Sequence, residues 1–375
     1  MVSPMTRLPA LDGLRAVAAL LVVLTHAAFL TGAVATWGFA GRLMGRGDFG
    51  VGLFFALSGF LLHRRLLHDR REGTDDVRAY FMRRAARVLP AYWVALAAVC
   101  VVAQPPVRTV VAQALAVQTY VPDTQIDAFS QSWSIPTELA FYLVLPLVVV
   151  GLDRVRRRHP AWPVPLLLGS GLVLLLVVAM LPSDGLESLI FVERWLPARW
   201  ADFAVGMALA EVVEHPEARG AARIRSVASD TTGCLLVGGA AYTLATTSLA
   251  GSLTLEPETG PQTTVRLLLN AVVAFALLAP LTAGRGGVWA AVLSTGPVRW
   301  VGTVSFGLFL WHLPVLTGLY DVSGIPLFGG GLLPLLAVGL PISLALAWLS
   351  LRLVELPAMR WAARRSPLPR VTHRG

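Results

Sequence analysis

Long apolar runs separated by short polar stretches recur along the whole chain of 375 residues. A helix that crosses a membrane takes about 20 residues, and the runs therefore predict about ten membrane-spanning helices. We place these spans at roughly 11–30, 48–67, 90–103, 136–151, 162–181, 199–213, 228–248, 264–282, 301–320 and 332–353. The pattern predicts an all-α, polytopic integral membrane bundle. We expect one membrane domain over 1–375, with a basic cytoplasmic tail at 354–375 and no fused soluble domain.

The composition is typical of a membrane protein, because 55% of the residues are hydrophobic and only 14% are charged. Ordinary soluble domains carry about 25% charged residues. The net charge of +9 comes from arginine alone, since all 31 basic residues are Arg, and these cluster at the ends of apolar runs. This is the positive-inside pattern and not a nucleic-acid-binding surface. It predicts cytoplasmic termini, with six arginines on the opposite side: Arg42, Arg46, Arg108, Arg194, Arg199 and Arg266.

The segment Val107–Gln118 is apolar but too short to cross a bilayer as a helix. We expect it to lie on the outer surface. A crossing at this point would reverse the side of every later loop and would leave a poor distribution of arginines.

The first span carries two ionisable residues at membrane depth, Arg15 and His26, which are costly there and favour a functional site. Eleven residues correspond to about three helical turns, so both share one face about 16 Å apart. In one alternative, Arg15 is a snorkelling anchor and His26 an interhelical hydrogen-bonding group. In another, the segment is a cleaved signal peptide, because 33–35 resembles an A-x-A site.

The second span contains several glycines, including Gly59 next to Ser58, and the simplest role of such glycines is close helix packing. The basic segment that follows predicts an amphipathic interfacial helix over Asp76–Leu89. Arg84 and Arg87 point the same way on this helix, and paired guanidinium groups suit phosphate binding. The alternative, supported equally by the sequence, is that the two arginines only contact anionic lipid headgroups.

Glu138 lies about one turn inside the start of the fourth span, and Tyr142 lies four residues later on the same face. A carboxylate at that depth needs a partner. Because His26 is expected in the same outer half, the sequence predicts a Glu138–His26 pair. Trp133, just before this span, is interpreted as an interfacial aromatic anchor.

Later spans add further polar residues. Arg199 and Asp202 are spaced as an i,i+3 pair at the start of the sixth span. His312 lies about eleven residues into the ninth, towards the outer half. Cys100 and Cys234 each fall inside an apolar run and predict neither a disulfide framework nor a metal site.

Six motifs occur in order along the chain, LPALDGLRAVAALLVVLTHAAF, GVGLFFALSGF, RRAARVLPAYW, SWSIPTELAFYLVLP, RWADFAVGM and SFGLFLWHLPV, with VELP after the last. Together they resemble the membrane acyltransferase-3 family, the bacterial O-acyltransferases of polysaccharides, lipid-linked sugars and macrolides. The resemblance covers nearly the whole chain. Two positions depart from the family pattern: Asp202 stands where Glu is more usual, and Phe306 where Tyr is frequent.

The resemblance implies transfer of an acyl group from acyl-CoA to a hydroxyl group, with a catalytic His26 and an essential Arg15. It also implies that Arg84 and Arg87 lie near the CoA end of the site. To the donor-binding residues we add Ser58 and Gly59.

We therefore predict an O-acyltransferase of a bacterial cell membrane, in contact with membrane lipids, which uses acyl-CoA as donor, most simply acetyl-CoA, and no metal. The acceptor is a sugar-containing molecule, either a surface polysaccharide, a lipid-linked sugar or a macrolide. His26 would act as general base, because a neutral imidazole suits that task near neutral pH. Glu138 would orient His26 or stabilise its charge. Supporting residues are Tyr142, Trp133, Arg199 and His312.

Two other classes of protein remain open. A proton-coupled transporter could use His26 and Glu138 as a relay, and a flippase could move a lipid-linked sugar. Transporters often contain paired repeats, and we find no such symmetry in this chain. A membrane scaffold or sensor would not require buried His, Arg and Glu side chains.

Overall fold

The computed structural model describes residues 8–180, 192–218, 220–253 and 258–365, and all regular secondary structure in these ranges is helical. Ten longer helices are α1 Pro9–Leu30, α2 Phe49–Arg71, α3 Val77–Ala103, α4 Ser134–Arg158, α5 Pro163–Ala179, α6 Leu196–Glu214, α7 Thr231–Leu244, α8 Gly260–Thr282, α9 Gly296–Ser323 and α10 Leu332–Ser350. Shorter helices are Ala33–Thr36, Gly38–Gly45, Val107–Ala114, Ala221–Ser229, Gly287–Leu293 and Leu356–Arg365. Short 3-10 or π turns are Arg46–Asp48, Asp127–Trp133, Val192–Arg194, Ser248–Ala250 and Leu351–Glu355. The last part of the predicted tail, 366–375, lies outside the described residues.

Seven helical stretches in the described residues are long and apolar enough to cross a membrane. The helices α5 and α7 are apolar but shorter, and α6 carries Arg199, Asp202 and Glu211 within its length. The prediction of an all-helical membrane protein is thus confirmed. The number of ten spans and the cytoplasmic side of the termini stay predictions.

The third span differs from the prediction. A separate interfacial helix over Asp76–Leu89 was expected before the span, but α3 continues without a break through Pro90. The Asp76 carboxylate accepts a hydrogen bond from the Ala79 backbone N–H at 3.0 Å, which fixes where the helix starts. Because α3 runs as one rod, Arg84 and Arg87 project from a long bundle helix. The next helix, Val107–Ala114, has eight residues and a length of about 12 Å, too short to cross.

The helices α2 and α6 pack closely against each other in the middle of the bundle. A Cβ atom at Gly59 would overlap the Phe203 carbonyl, and one at Gly206 would overlap the Ala56 carbonyl, so both glycines are required for this approach. The Phe203 ring stacks on Phe55 at 4.5 Å and on Phe141 at 4.0 Å, measured between ring centroids. On the other side of α2, α1 packs between α2 and α9. Space is left between α1, α2, α3, α4 and α9.

Candidate active site

The space between these five helices is a cavity of about 830 Å³, part of which is open to solvent. Its polar lining residues come from all five helices: Arg15, Ser58, Arg84, Arg87, Ser134, Glu138, Tyr142 and Ser305. The structure thus brings together six of the residues that the sequence singled out. Gly59 does not line the cavity, because it faces α6 and serves packing.

Glu138 is held on the cavity wall by two hydroxyl groups. The Ser58 and Tyr142 hydroxyls donate to the Glu138 Oε1 atom at 2.8 and 2.6 Å. Tyr142 reaches it because residues four apart lie on one helix face, and Ser58 reaches it from α2. The predicted Glu138–His26 pair is wrong. Within the described residues no hydrogen bond joins these two side chains, since α4 faces α1 across the cavity.

The cavity carries a surplus of positive charge. Arg84 and Arg87 lie three residues apart on α3, and neither forms an ion pair with any described carboxylate; the Arg87 Nη1 atom lies 3.6 Å from the Met359 sulfur. Arg15 lies 3.7 Å from the Asp12 carboxylate. Three guanidinium groups but only one carboxylate, that of Glu138, line the cavity. This excess of cationic lining makes the cavity suited to an anionic ligand.

His26 lies farther along α1 and pairs with a second histidine. The His26 Nδ1 atom lies 2.8 Å from the Val22 carbonyl oxygen and 3.2 Å from the His312 Nε2 atom. The ring centroids are 5.0 Å apart. His312 is fully buried and His26 is half-buried.

The histidine pair adjoins the cavity without lining it. Phe54 and Phe309 line the cavity and contact each other edge to face, with ring centroids 6.2 Å apart. The Phe309 ring centroid lies 6.1 Å from that of His312. Arg15 and His26 were predicted to share one face of α1. Arg15 lines the cavity, whereas His26 belongs to the histidine pair beyond the aromatic wall.

Arg199 and Trp133 form a separate cluster. The Arg199 guanidinium lies 5.0 Å from the centre of the Trp133 ring and 3.7 Å from the Asp202 carboxylate. The side chains of Arg199 and Asp202 are only 6% and 2% exposed. Neither Trp133 nor Arg199 lines the cavity. The Trp133 ring packs against Phe55 and under the Arg199 guanidinium, and its role as an interfacial anchor stays a prediction.

The Acyltransferase domain family model matches residues 8–352 of the chain. The chain belongs to this acyltransferase family. It is 25% identical over 329 residues to the peptidoglycan O-acetyltransferase OatA of Listeria monocytogenes, with 82% of this chain and 49% of OatA covered. It is also 28% identical over 399 residues to the acyltransferase MdmB of Streptomyces mycarofaciens, with 96% and 94% covered. The chain thus spans about half the length of OatA, and no solved structure matches it significantly.

Several residues of this candidate site were not identified from the sequence. Ser134 and Ser305 line the cavity, but isolated serines in apolar runs give no signal. Phe306, noted only as a departure from the family pattern, also lines it. Asp48, just before α2, makes no capping hydrogen bond with its side chain, which lies 3.7 Å from the Arg266 guanidinium. In the described part of the chain, no three His, Cys, Asp or Glu side chains form a metal-binding group.

Proposed function

We propose that this protein is an integral membrane O-acyltransferase that moves an acyl group from acyl-CoA to a hydroxyl group of an acceptor. One observation carries the proposal: the arginine-lined cavity ends at the aromatic wall behind which the His26–His312 pair lies. Guanidinium groups bind phosphates in bidentate geometry, and CoA is rich in phosphate. Arg15, Arg84 and Arg87 would hold the donor, and the cavity would direct its thioester towards His26.

In this proposal His26 acts as a general base through its Nε2 atom. The acceptor hydroxyl gives its proton to His26 while its oxygen bonds to the acyl carbon and the carbon–sulfur bond breaks. His26 then returns the proton to the sulfur, which leaves as the free thiol. A thioester is already activated, so positioning the acceptor and removing its proton are the tasks left to the protein.

The names of the relatives support a proposal for the acyl group and the acceptor. OatA is named a peptidoglycan O-acetyltransferase and MdmB an acyltransferase. We infer that the donor is acetyl-CoA and that the acceptor contains a sugar, as a surface polysaccharide, a lipid-linked sugar or a macrolide does. We place the protein in the bacterial cell membrane, surrounded by membrane lipids.

The test uses permeabilised membranes that contain the full chain, supplied with acetyl-CoA labelled in its acetyl group. We expect covalent label in the glycan or metabolite fraction with the wild type. His26→Ala and His26→Gln should each lower the rate by about 10²–10⁴-fold, because losing a positioned general base has that effect. The Gln variant keeps a hydrogen-bonding group but takes up no proton at neutral pH.

The matched control is His159→Ala, which removes an exposed histidine at the end of α4. It should transfer label at the wild-type rate. Substantial transfer by His26→Gln would contradict the role of His26 as base. No covalent transfer by the wild type, combined with uptake of a solute into sealed vesicles, would contradict the proposed function and favour a transporter.

A further inference from the structure

The two histidines make the same backbone contact. The His26 Nδ1 atom faces the Val22 carbonyl oxygen at 2.8 Å, and the His312 Nδ1 atom faces the Leu308 carbonyl oxygen at 3.0 Å. A carbonyl oxygen only accepts hydrogen bonds, so each Nδ1 atom must carry a proton. A neutral imidazole has one N–H group. In the neutral state both Nε2 atoms therefore carry a lone pair.

This assignment fixes the direction of the contact between the two rings. The His312 Nε2 lone pair lies 3.2 Å from the protonated Nδ1 atom of His26 and accepts a share of that proton. The Nδ1–H group of His26 is thus shared between the Val22 carbonyl and His312. The Nε2 atom of His26 is left unprotonated, which is the state that a general base needs.

His312 is enclosed by the bundle at the place where it contacts His26. Its side chain is 0% exposed. The Gln131 side-chain amide donates to the Phe309 and Leu310 carbonyls, at 3.4 and 3.0 Å, and so ties α9 to the segment before α4. Among the described carboxylates none hydrogen-bonds to either histidine. A neutral imidazole thus occupies the place that a carboxylate occupies in a Ser-His-Asp triad.

We propose that His312 is a positioning residue for His26. Its Nε2 atom accepts the Nδ1–H of His26, which keeps the tautomer with a free Nε2 atom. The same hydrogen bond strengthens when His26 takes the acceptor proton and becomes positively charged. This inference rests on the proposed function, because it assigns how the base of that reaction is oriented.

The kinetic test compares two replacements of His312 in the purified full chain. His312→Gln retains an oxygen that can accept from His26, whereas His312→Phe retains a ring of similar size without an acceptor. We expect kcat to fall by about 10- to 100-fold in the Phe variant, the value of one charge-assisted hydrogen bond. The Gln variant should stay within about fivefold of wild type, and the KM for acetyl-CoA should not change in either. Equal kcat values in the two variants would mean that His312 only fills space and would overturn the inference.

A second measurement does not depend on turnover. Nitrogen NMR of protein labelled at the histidine ring nitrogens, with His26→Ala and His312→Phe for assignment, reports which nitrogen carries the proton. We expect protonated Nδ1 and unprotonated Nε2 atoms for both histidines at neutral pH. A spectrum with the His26 proton on Nε2 would overturn the inference. Wild-type protein that transfers nothing from acetyl-CoA would instead contradict the proposed function, and the NMR result would still decide the hydrogen-bond direction.

Discussion

Arginines lie inside this helical bundle in two different settings. Arg84 and Arg87 face an open cavity and form no ion pair with a described carboxylate. Arg199 is enclosed, with Asp202 at 3.7 Å and the Trp133 ring at 5.0 Å, and it borders no part of the cavity. Sequence analysis named Arg84 and Arg87 as donor-binding candidates and Arg199 as a supporting residue. If Arg84 and Arg87 bind the donor as proposed, open space and an unmatched charge, more than depth, distinguish a ligand-binding arginine from one that is part of the packing.

The largest effect is expected at the cavity. The double variant Arg84→Ala, Arg87→Ala should bind acetyl-CoA on the order of 10²–10⁴-fold more weakly, because each hydrogen bond to a charged group contributes about 1.5–3 kcal/mol. Its melting temperature should stay close to wild type, since neither side chain forms a close ion pair with a described carboxylate. Isothermal titration in detergent measures the affinity.

The matched control is Arg83→Ala on the same helix, since Arg83 does not line this cavity. It should bind acetyl-CoA as the wild type does. If the double variant also binds normally, Arg84 and Arg87 are lipid-facing anchors and the two settings of arginine do not differ in function.

Removing the enclosed arginine should affect stability instead. Arg199→Met leaves the Asp202 carboxylate buried without its partner, and breaking a buried ion pair in this way costs about 3–5 kcal/mol of unfolding free energy. We expect a melting temperature lower by several degrees in fluorescence-detected size-exclusion chromatography. The folded fraction should keep its affinity for acetyl-CoA.

The double variant Arg199→Met, Asp202→Leu removes both charges and should recover much of that stability, because apolar replacement of a whole buried pair is often close to neutral. A single Arg199→Met variant with normal melting but lost acetyl-CoA binding would reverse the assignment of the two settings.

Lysine replacements test the same difference between the two settings of arginine, and we expect smaller changes in affinity and melting temperature. Arg87→Lys keeps the charge but loses the planar, bidentate group, so affinity for acetyl-CoA should fall by about tenfold. Arg199→Lys loses the stacking on Trp133 and should lower the melting temperature modestly, without changing affinity. Wild-type affinity in Arg87→Lys would show that the cavity needs only charge at this position.

The smallest effect is expected for Glu138→Gln. The amide oxygen can still accept from Ser58 and Tyr142, while the substitution removes the one negative charge that lines the cavity beside the three arginines. Affinity for acetyl-CoA should rise by about a few-fold at low ionic strength, and added salt should reduce the gain. A loss of turnover as deep as that of His26→Ala, measured in the same assay, would show that Glu138 takes part in the chemistry.

The sequence by itself determined the helical class, the approximate position of each long helix and most of the cavity's polar residues. These features are local, because a helix satisfies its own backbone hydrogen bonds and its apolar length follows from the bilayer. The period of 3.6 residues also placed Tyr142 on the same face as Glu138, and their hydroxyl–carboxylate contact is 2.6 Å long.

Only the tertiary structure decided which helix lies against each face. Helical periodicity shows which residues share a face but does not identify the neighbouring helix, which depends on contacts such as Gly59 against Phe203 between distant parts of the chain. For this reason His26 meets His312, 286 residues away, and not Glu138. The charge of Arg199 is matched and that of Arg84 is not, because α6 supplies its own carboxylate while α3 borders an open cavity.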